Sequence, residues 1–328
     1  MPMKAPKFWQ KGNTFFSSIL SPFSKVYGWI VCNRIKNIKP YEASIPVVCV
    51  GNLVMGGVGK TPLAVSIAEY FKMNGKKPFF LTRGYGGGLK NVFVNPDKHT
   101  ALQTGDEALL LAAVAPTIVD ADRERGAKKA ESLGADVIIM DDGFQNPKLV
   151  KTLSFVVFDG RYGAGNGKVF PAGPLREPLE NGLKRANACV VVGEDFTGIK
   201  ARVSEYNKAL PFIGMHIEQN REKIERLSSK KLFAFAGIGY PAKFFDMLKE
   251  NGCNVVETKS FPDHHPYTEQ EIEALIEKAA GSDAVLVTTA KDAVRIPARL
   301  REKIEVIEAY MVWDTPDVVC ALLETLHK

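Results

Sequence analysis

Val47-Val48-Cys49-Val50-Gly51-Asn52-Leu53-Val54-Met55-Gly56-Gly57-Val58-Gly59-Lys60-Thr61 joins an apolar run, a glycine-rich turn and a Lys-Thr pair, and Leu63, Ile67 and Phe71 follow at i, i+4, i+8. The spacing predicts a strand, a turn and an amphipathic helix. That is the setting of a phosphate-cradling loop. Glycines let the backbone approach an anion, which inward N–H groups and the helix N-terminus then hold. Lys60 offers a full charge to the β- and γ-phosphates of a nucleotide, and Thr61 a hydroxyl to Mg²⁺. Gly51, Asn52, Gly56, Gly57, Val58 and Gly59 complete the candidate nucleotide loop. The generic pattern G-x-x-x-x-G-K-[ST] asks for glycine at position 54, where this chain has Val54.

The same alternation continues outward. Pro78–Leu81, Pro116–Val119, Val137–Met140, Phe155–Phe158 and Cys189–Val192 are short apolar runs that read as buried strands, separated by helical stretches such as Arg123–Leu133. The pattern predicts an α/β fold: a P-loop parallel sheet with helices on both faces. Beyond Met215–Ile224, an extended crossing segment, the alternation restarts at Leu232–Ala236 and runs through the strand Ile304–Met311 to a closing helix, Pro316–Leu326. We expect N-terminal amphipathic helices over 1–44, a P-loop domain over 45–214, an extended linker over 215–230 and a smaller α/β domain over 231–328. The last helix is free to return to the first domain.

The 328 residues are 45% hydrophobic, enough for one large or two medium domains and against wholesale disorder. The net charge is +6, and residues 1–40 hold seven Lys/Arg with no Asp or Glu. Aromatic and aliphatic residues alternate with those cations, which fits an anionic membrane surface better than nucleic acid. Ser and Pro interrupt residues 8–31, so neither a spanning helix nor a secretory signal is expected. Ser21-Pro22 predicts an N-cap and a break between two short helices. These either lie in the membrane interface or pack on the body. The five cysteines form no CxxC and read as small buried residues of a reducing compartment.

Asp141-Asp142 ends an apolar strand, where a P-loop protein places the acidic partner of its metal. Asp106-Glu107 follows another strand–loop unit. It is either an acidic first helical turn or a carboxylate that meets an acceptor hydroxyl, and both readings stay open on the residues alone. Asp263-His264 lies between Pro262 and Pro266: either Asp263 orients a functional ring or the histidine is structural, and both readings stay open on the residues alone. Arg83, Arg123 and Arg125 follow candidate strands and are candidate phosphate ligands, with helix-surface charge the other reading for Arg125. Gln145 lies beside the acidic doublet.

Nine stretches in order resemble the tetraacyldisaccharide 4′-kinase family of the lipid A pathway. They are Val50–Leu53 with Gly56–Pro62, Thr82–Gly87, Gly105–Glu107, Asp122-Arg123, Asp141–Gln145, Pro171–Glu177, Ala236–Gly239, Phe261–His264 and Thr288–Val294. Val54 fits, because the family's own loop lacks that glycine. Ala108 departs, standing where the family has Pro, and so does Ala290, which replaces an often acidic residue. The resemblance implies ATP- and Mg²⁺-dependent phosphorylation of the 4′-hydroxyl of a lipid A disaccharide 1-phosphate. It places the protein at the cytoplasmic face of the bacterial inner membrane, with no nucleic acid and no obligate protein partner. It implies an active site in the cleft between the two domains, with Asp106 as base paired to His264. Lys60 and Asp142 then join the catalytic set, Thr61, Asp141 and Asp142 hold the metal, and Gln145 and Glu177 line the site. The rival class is a regulatory P-loop ATPase of the partitioning or metal-pump kind. Those proteins usually carry a Lys before the double glycine, where this chain has Met55.

Overall fold

A computed structural model of the chain describes residues 6–10, 12, 14–56 and 59–327. Thirteen strands run in chain order: β1 Val47–Gly51, β2 Pro78–Thr82, β3 Val92–Phe93, β4 Thr117–Val119, β5 Val137–Asp141, β6 Leu153–Asp159, β7 Ala188–Val192, β8 Phe212–Gln219, β9 Lys231–Ala236, β10 Asn254–Ser260, β11 Ala284–Thr289, β12 Glu305–Ile307 and β13 Ala309–Trp313. Nine of them form a sheet ordered β13-β8-β7-β6-β1-β5-β2-β4-β3, parallel except at its two edge pairs, and four form a parallel sheet ordered β10-β9-β11-β12. Every residue of β1 is buried, because β5 and β6 flank it and helices cover both faces. Val47 and Cys49 point into one core and Val48 and Val50 into the other. The helix Lys60–Met73 buries Leu63, Ala64, Ile67, Ala68 and Phe71 against the second of these.

The small sheet repeats the logic. Leu232, Ala234 and Ala236 of β9 pack with Phe244, Phe245 and Leu248 of the helix Pro241–Glu250. Phe233 and Phe235 pack on the other face with Ile272 and Leu275 of the helix Glu269–Gly281.

The crossing between the sheets differs from the expected extended segment over 215–230. Met215–Gln219 belongs to β8, and a helix, Arg221–Ser228, follows within that stretch. The run Ile304–Met311 is broken at Glu308, with β12 in the small sheet and β13 back in the large one, antiparallel to β8. The helix Pro316–Glu324 also returns, burying Val319 and Leu323 beside Leu63 and Ile67. Two antiparallel strands therefore cross together, pairing Ala309 with Gln219 through to Trp313 with Met215.

At the N-terminus the helices are Phe15–Ile19, capped by Thr14, and Ser21–Asn37. Pro22 falls in the first turn of the second helix as expected, but Leu20 holds the cap position and Ser21 is already helical. That helix has 17 residues, longer than the sequence suggested. Among the described residues no helix is long and apolar enough to cross a membrane.

Candidate active site

The nucleotide loop leaves β1 at the centre of the large sheet. Asn52 Nδ2 donates to the Gly56 carbonyl at 2.6 Å, closing the turn on itself. Gln145 Nε2 donates to the Asn52 carbonyl at 2.9 Å and to Glu177 at 3.1 Å, and Arg185 grips both Glu177 oxygens at 2.8 Å. The Pro171–Glu177 stretch anneals along the loop: Met55 N–H donates to Pro174 O, Arg176 N–H donates to Leu53 O, and Val54 pairs with Leu175 in an antiparallel bridge. That bridge explains the missing glycine, since an extended, paired residue needs none. Gly59 has φ +87°, and a Cβ there would lie 2.7 Å from Val192 Cγ2, so glycine is required before the helix. Gly57 and Val58, expected in the loop, lie outside the described residues.

Lys60 and Thr61 open the helix opposite the end of β5. Thr61 Oγ1 donates to Asp141 Oδ2 at 2.9 Å, and Lys60 Nζ lies 3.7 Å from Asp142 Oδ1. Arg176 meets the same Asp142 through Nη1 at 2.9 Å and Nη2 at 3.3 Å. Asp141 is 1% exposed, and its Oδ1 is buried with no hydrogen-bond partner. Burial, with the charge of Glu107 adding to it, pushes this carboxyl up to about 7 against the opposing pull of Thr61 and Lys60. Burial acts on Asp142 too, but Lys60 and Arg176 outweigh it and hold that carboxyl below the ordinary range.

Asp106 opens the helix Asp106–Ala112 after Gly105, whose φ is +89°. The Gly84–Gly88 turn packs so closely there that a Cβ on Gly105 would run into the Tyr85 carbonyl. Asp106 is 8% exposed, and its Oδ2 lies 2.8 Å from Nδ1 of His264, 158 residues away in sequence. His264 follows β10 with φ +60°, an uncommon region for a non-glycine residue. Burial would raise the Asp106 carboxyl, yet the His264 hydrogen bond and the Arg295 charge lower it. Asp263 Oδ1 is 3.8 Å from His264 Nε2, within charge-pair range but beyond a hydrogen bond, so the ring is oriented by Asp106 and not by Asp263 as expected.

The arginines separate. Arg123 is buried, its Nη1 donates to the Asp120 carbonyl, and its charge helps lower Asp142. Arg83 is exposed at the end of β2. Arg125 makes a bidentate pair with Asp120 at 2.8 Å, which takes the fork that the sequence reading offered to a phosphoryl oxygen. Gln145 is engaged with the Asn52 backbone and Glu177 and supports the loop from below.

The model of the tetraacyldisaccharide-1-P 4′-kinase family, LpxK, matches residues 16–327. This chain belongs to that family. A tetraacyldisaccharide 4′-kinase of Paramagnetospirillum magneticum is 46% identical over 325 residues, covering 99% of each chain. Those of Rhodospirillum centenum and Rhodospirillum rubrum are 42% and 44% identical, covering 99% of this chain and 97% and 98% of theirs. The crystal structure of LpxK from Aquifex aeolicus, in complex with ATP, superposes with a TM-score of 0.75 at 27% identity, covering 95% of this chain and 99% of that one. Two residues of this kinase-family site were given no role from sequence. Arg176 stands inside the quoted Pro171–Glu177 run, next to Glu177. Arg295 directly follows the Thr288–Val294 run. The signal for both is a cation in or beside a family motif.

Proposed function

We propose that the protein transfers the γ-phosphate of ATP to the 4′-hydroxyl of an acylated lipid A disaccharide 1-phosphate. The observation that carries this is the Asp106–His264 pair, formed beside the Thr61–Asp141 and Lys60–Asp142 pairs. Glu107, next to Asp106, is near enough to Asp141 to raise its carboxyl. The large-sheet body acts as the kinase domain and the small-sheet body as a second domain, with the β8–β13 ribbon between them as hinge.

The site fits a magnesium ion. Asp141 Oδ1 is buried and unpartnered, the neighbouring donors are hard oxygens, and a cation there relieves a carboxyl that burial has pushed up. Thr61 and Asp141 would hold it, with Asp142 beside them. Bound there, the ion supplies charge neutralisation on the transferring phosphate. The chain's own residues do the rest. The loop from Gly51 to Thr61 grips the triphosphate, Lys60 balances charge on the transferred group, and Asp106 takes the hydroxyl proton as the oxygen attacks phosphorus. Arg83 and Arg123 supply further positive charge near the phosphates or the substrate's own 1-phosphate. A loose transition state makes positioning and charge outweigh early deprotonation, so an aspartate suffices as base.

The acceptor carries acyl chains and sits in a bilayer. Phe15, Phe16, Phe23, Val26, Trp29 and Ile30 expose more than half of their surfaces on the N-terminal helices, with Lys25, Arg34 and Lys36 among them. This aromatic and basic face supports docking at the cytoplasmic face of the inner membrane. Mixing labelled ATP with acylated disaccharide 1-phosphate tests the reaction: label should move to lipid. Release as inorganic phosphate instead would favour a regulatory ATPase. Replacing Phe15, Phe16, Phe23 and Trp29 by serine should abolish flotation with anionic liposomes, and retained flotation rejects the docking face.

A further inference from the structure

Arg295 lies in the small-sheet body with its side chain 2% exposed. Three backbone carbonyls fix it. Nη1 donates to Gly237 O at 3.0 Å and to His265 O at 3.2 Å, and Nε donates to Lys291 O at 3.2 Å. Nη2 lies 3.1 Å from Asp292 Oδ1, in ion-pair range but without a hydrogen bond. Asp292 is itself held by the Gly237 N–H at 2.8 Å, the Tyr267 hydroxyl at 2.7 Å and the Thr289 hydroxyl at 2.6 Å. A guanidinium held at this many points has little freedom left to lose when a further partner arrives.

That further partner comes from the other body. Nε of Arg295, whose one hydrogen goes to the Lys291 carbonyl, lies 3.2 Å from Oδ2 of Asp106 as a charge pair, beside the same oxygen that His264 Nδ1 meets at 2.8 Å. Both small-sheet side chains converge on one carboxylate oxygen. Oδ1 of Asp106 has no hydrogen bond or ion pair among the described residues, and it is not among the fully buried atoms that lack a partner. It is therefore the oxygen left to meet a hydroxyl.

We infer that Arg295 is a positioning residue for phosphate transfer: with His264 it locks Oδ2 of Asp106 and leaves Oδ1 to take the acceptor proton. The inference rests on the kinase reading above. As the acceptor oxygen bonds to the γ-phosphorus, its proton passes to Asp106 Oδ1. The bond from that phosphorus to the bridging oxygen breaks, and the electron pair leaves with ADP. Since Arg295 and His264 both belong to the small-sheet body, separating the two bodies strips Asp106 of both partners at once. The base is then complete only when the bodies meet.

A double-mutant cycle tests this with full-length protein, ATP and acylated disaccharide 1-phosphate. Arg295→Met should lower kcat by about tenfold or more, the scale expected within one charged network, and leave KM for ATP unchanged. Arg295→Lys should recover part of the loss. In an Asp106→Asn background, Arg295→Met should have no further effect, because the group it positions is gone. Equal losses in both backgrounds, or a loss carried by KM for ATP with kcat intact, would overturn the inference. If Arg295→Met fails to melt cooperatively, the same cycle run with Arg295→Lys decides on the same criteria. Wild-type turnover in Asp106→Asn alone would remove the base itself, and that failure is distinct from additivity of the two changes.

Discussion

The nucleotide loop and the proposed base are built in opposite ways. Every partner in the first comes from one body: Lys60 and Thr61 follow β1, Asp141 and Asp142 end β5, and Arg176 and Gln145 belong to the same large-sheet unit. The second is split, with Asp106 in the large-sheet body and His264 and Arg295 in the small one. A loop assembled within one sheet is ready before substrate arrives. On the proposed reading, a base assembled across a hinge is complete only when the two bodies meet, which would limit ATP hydrolysis by water while the acceptor is absent.

The sharpest way to break this contrast is to damage one half and ask whether the other survives. Asp106→Ala should cut turnover by about 10²–10⁴-fold, the usual range for a general base. ATP affinity, read by calorimetry, should stay at the wild-type level, and a matching loss of affinity would show that the halves are not separable. Lys60→Ala should harm both quantities, with ATP affinity falling by roughly tenfold or more, as for a lost charge-assisted hydrogen bond. Unchanged affinity would take Lys60 away from the phosphates.

A smaller effect comes from pH. The Asp141 carboxyl titrates at about 7 in the folded protein, well above its ordinary value, chiefly through burial. The folded state then binds more protons than the unfolded one between about pH 4 and 7. Stability of the ligand-free protein should fall as pH rises through that window and level off above it. Magnesium must displace the proton below about pH 7, so the melting-temperature gain from magnesium and nucleotide should grow from pH 5.5 to 8. A pH-independent gain would mean that Asp141 does not hold the ion. The smallest effect is geometric. Small-angle scattering should show a more compact particle when ATP analogue and acceptor are both present than with the analogue alone, and an unchanged radius counts against hinge closure.

Legibility in the sequence followed this division. Local pattern located β1, the phosphate loop, its helix and the strand that ends in Asp141, because an apolar run, a glycine-rich turn before Lys-Thr and an i, i+4, i+8 spacing are each legible within a few residues. The reading failed where one residue could serve two masters. Arg125 reads equally as a phosphate ligand or as helix-surface charge, and only its pairing with Asp120, five residues earlier, decides against the first. The apolar stretch Ile304–Met311 read as one strand, because nothing local marks Glu308 as the point where the chain changes sheets. Val54 departs from the generic loop pattern while fitting the family's, and its antiparallel partner Leu175, on a distant loop, supplies the physical reason.

By itself, then, the chain determined the nucleotide loop, the acidic doublet and the order of motifs that places it in its family, since these depend on backbone stereochemistry and side-chain spacing within a few residues. Only the tertiary structure decided which oxygen of Asp106 is held, that Arg295 helps to hold it, and that β13 and the last helix return to the large sheet. Those contacts join residues at least 90 positions apart. Their geometry is set by how two sheets with separate cores pack across a paired ribbon, which no local pattern encodes.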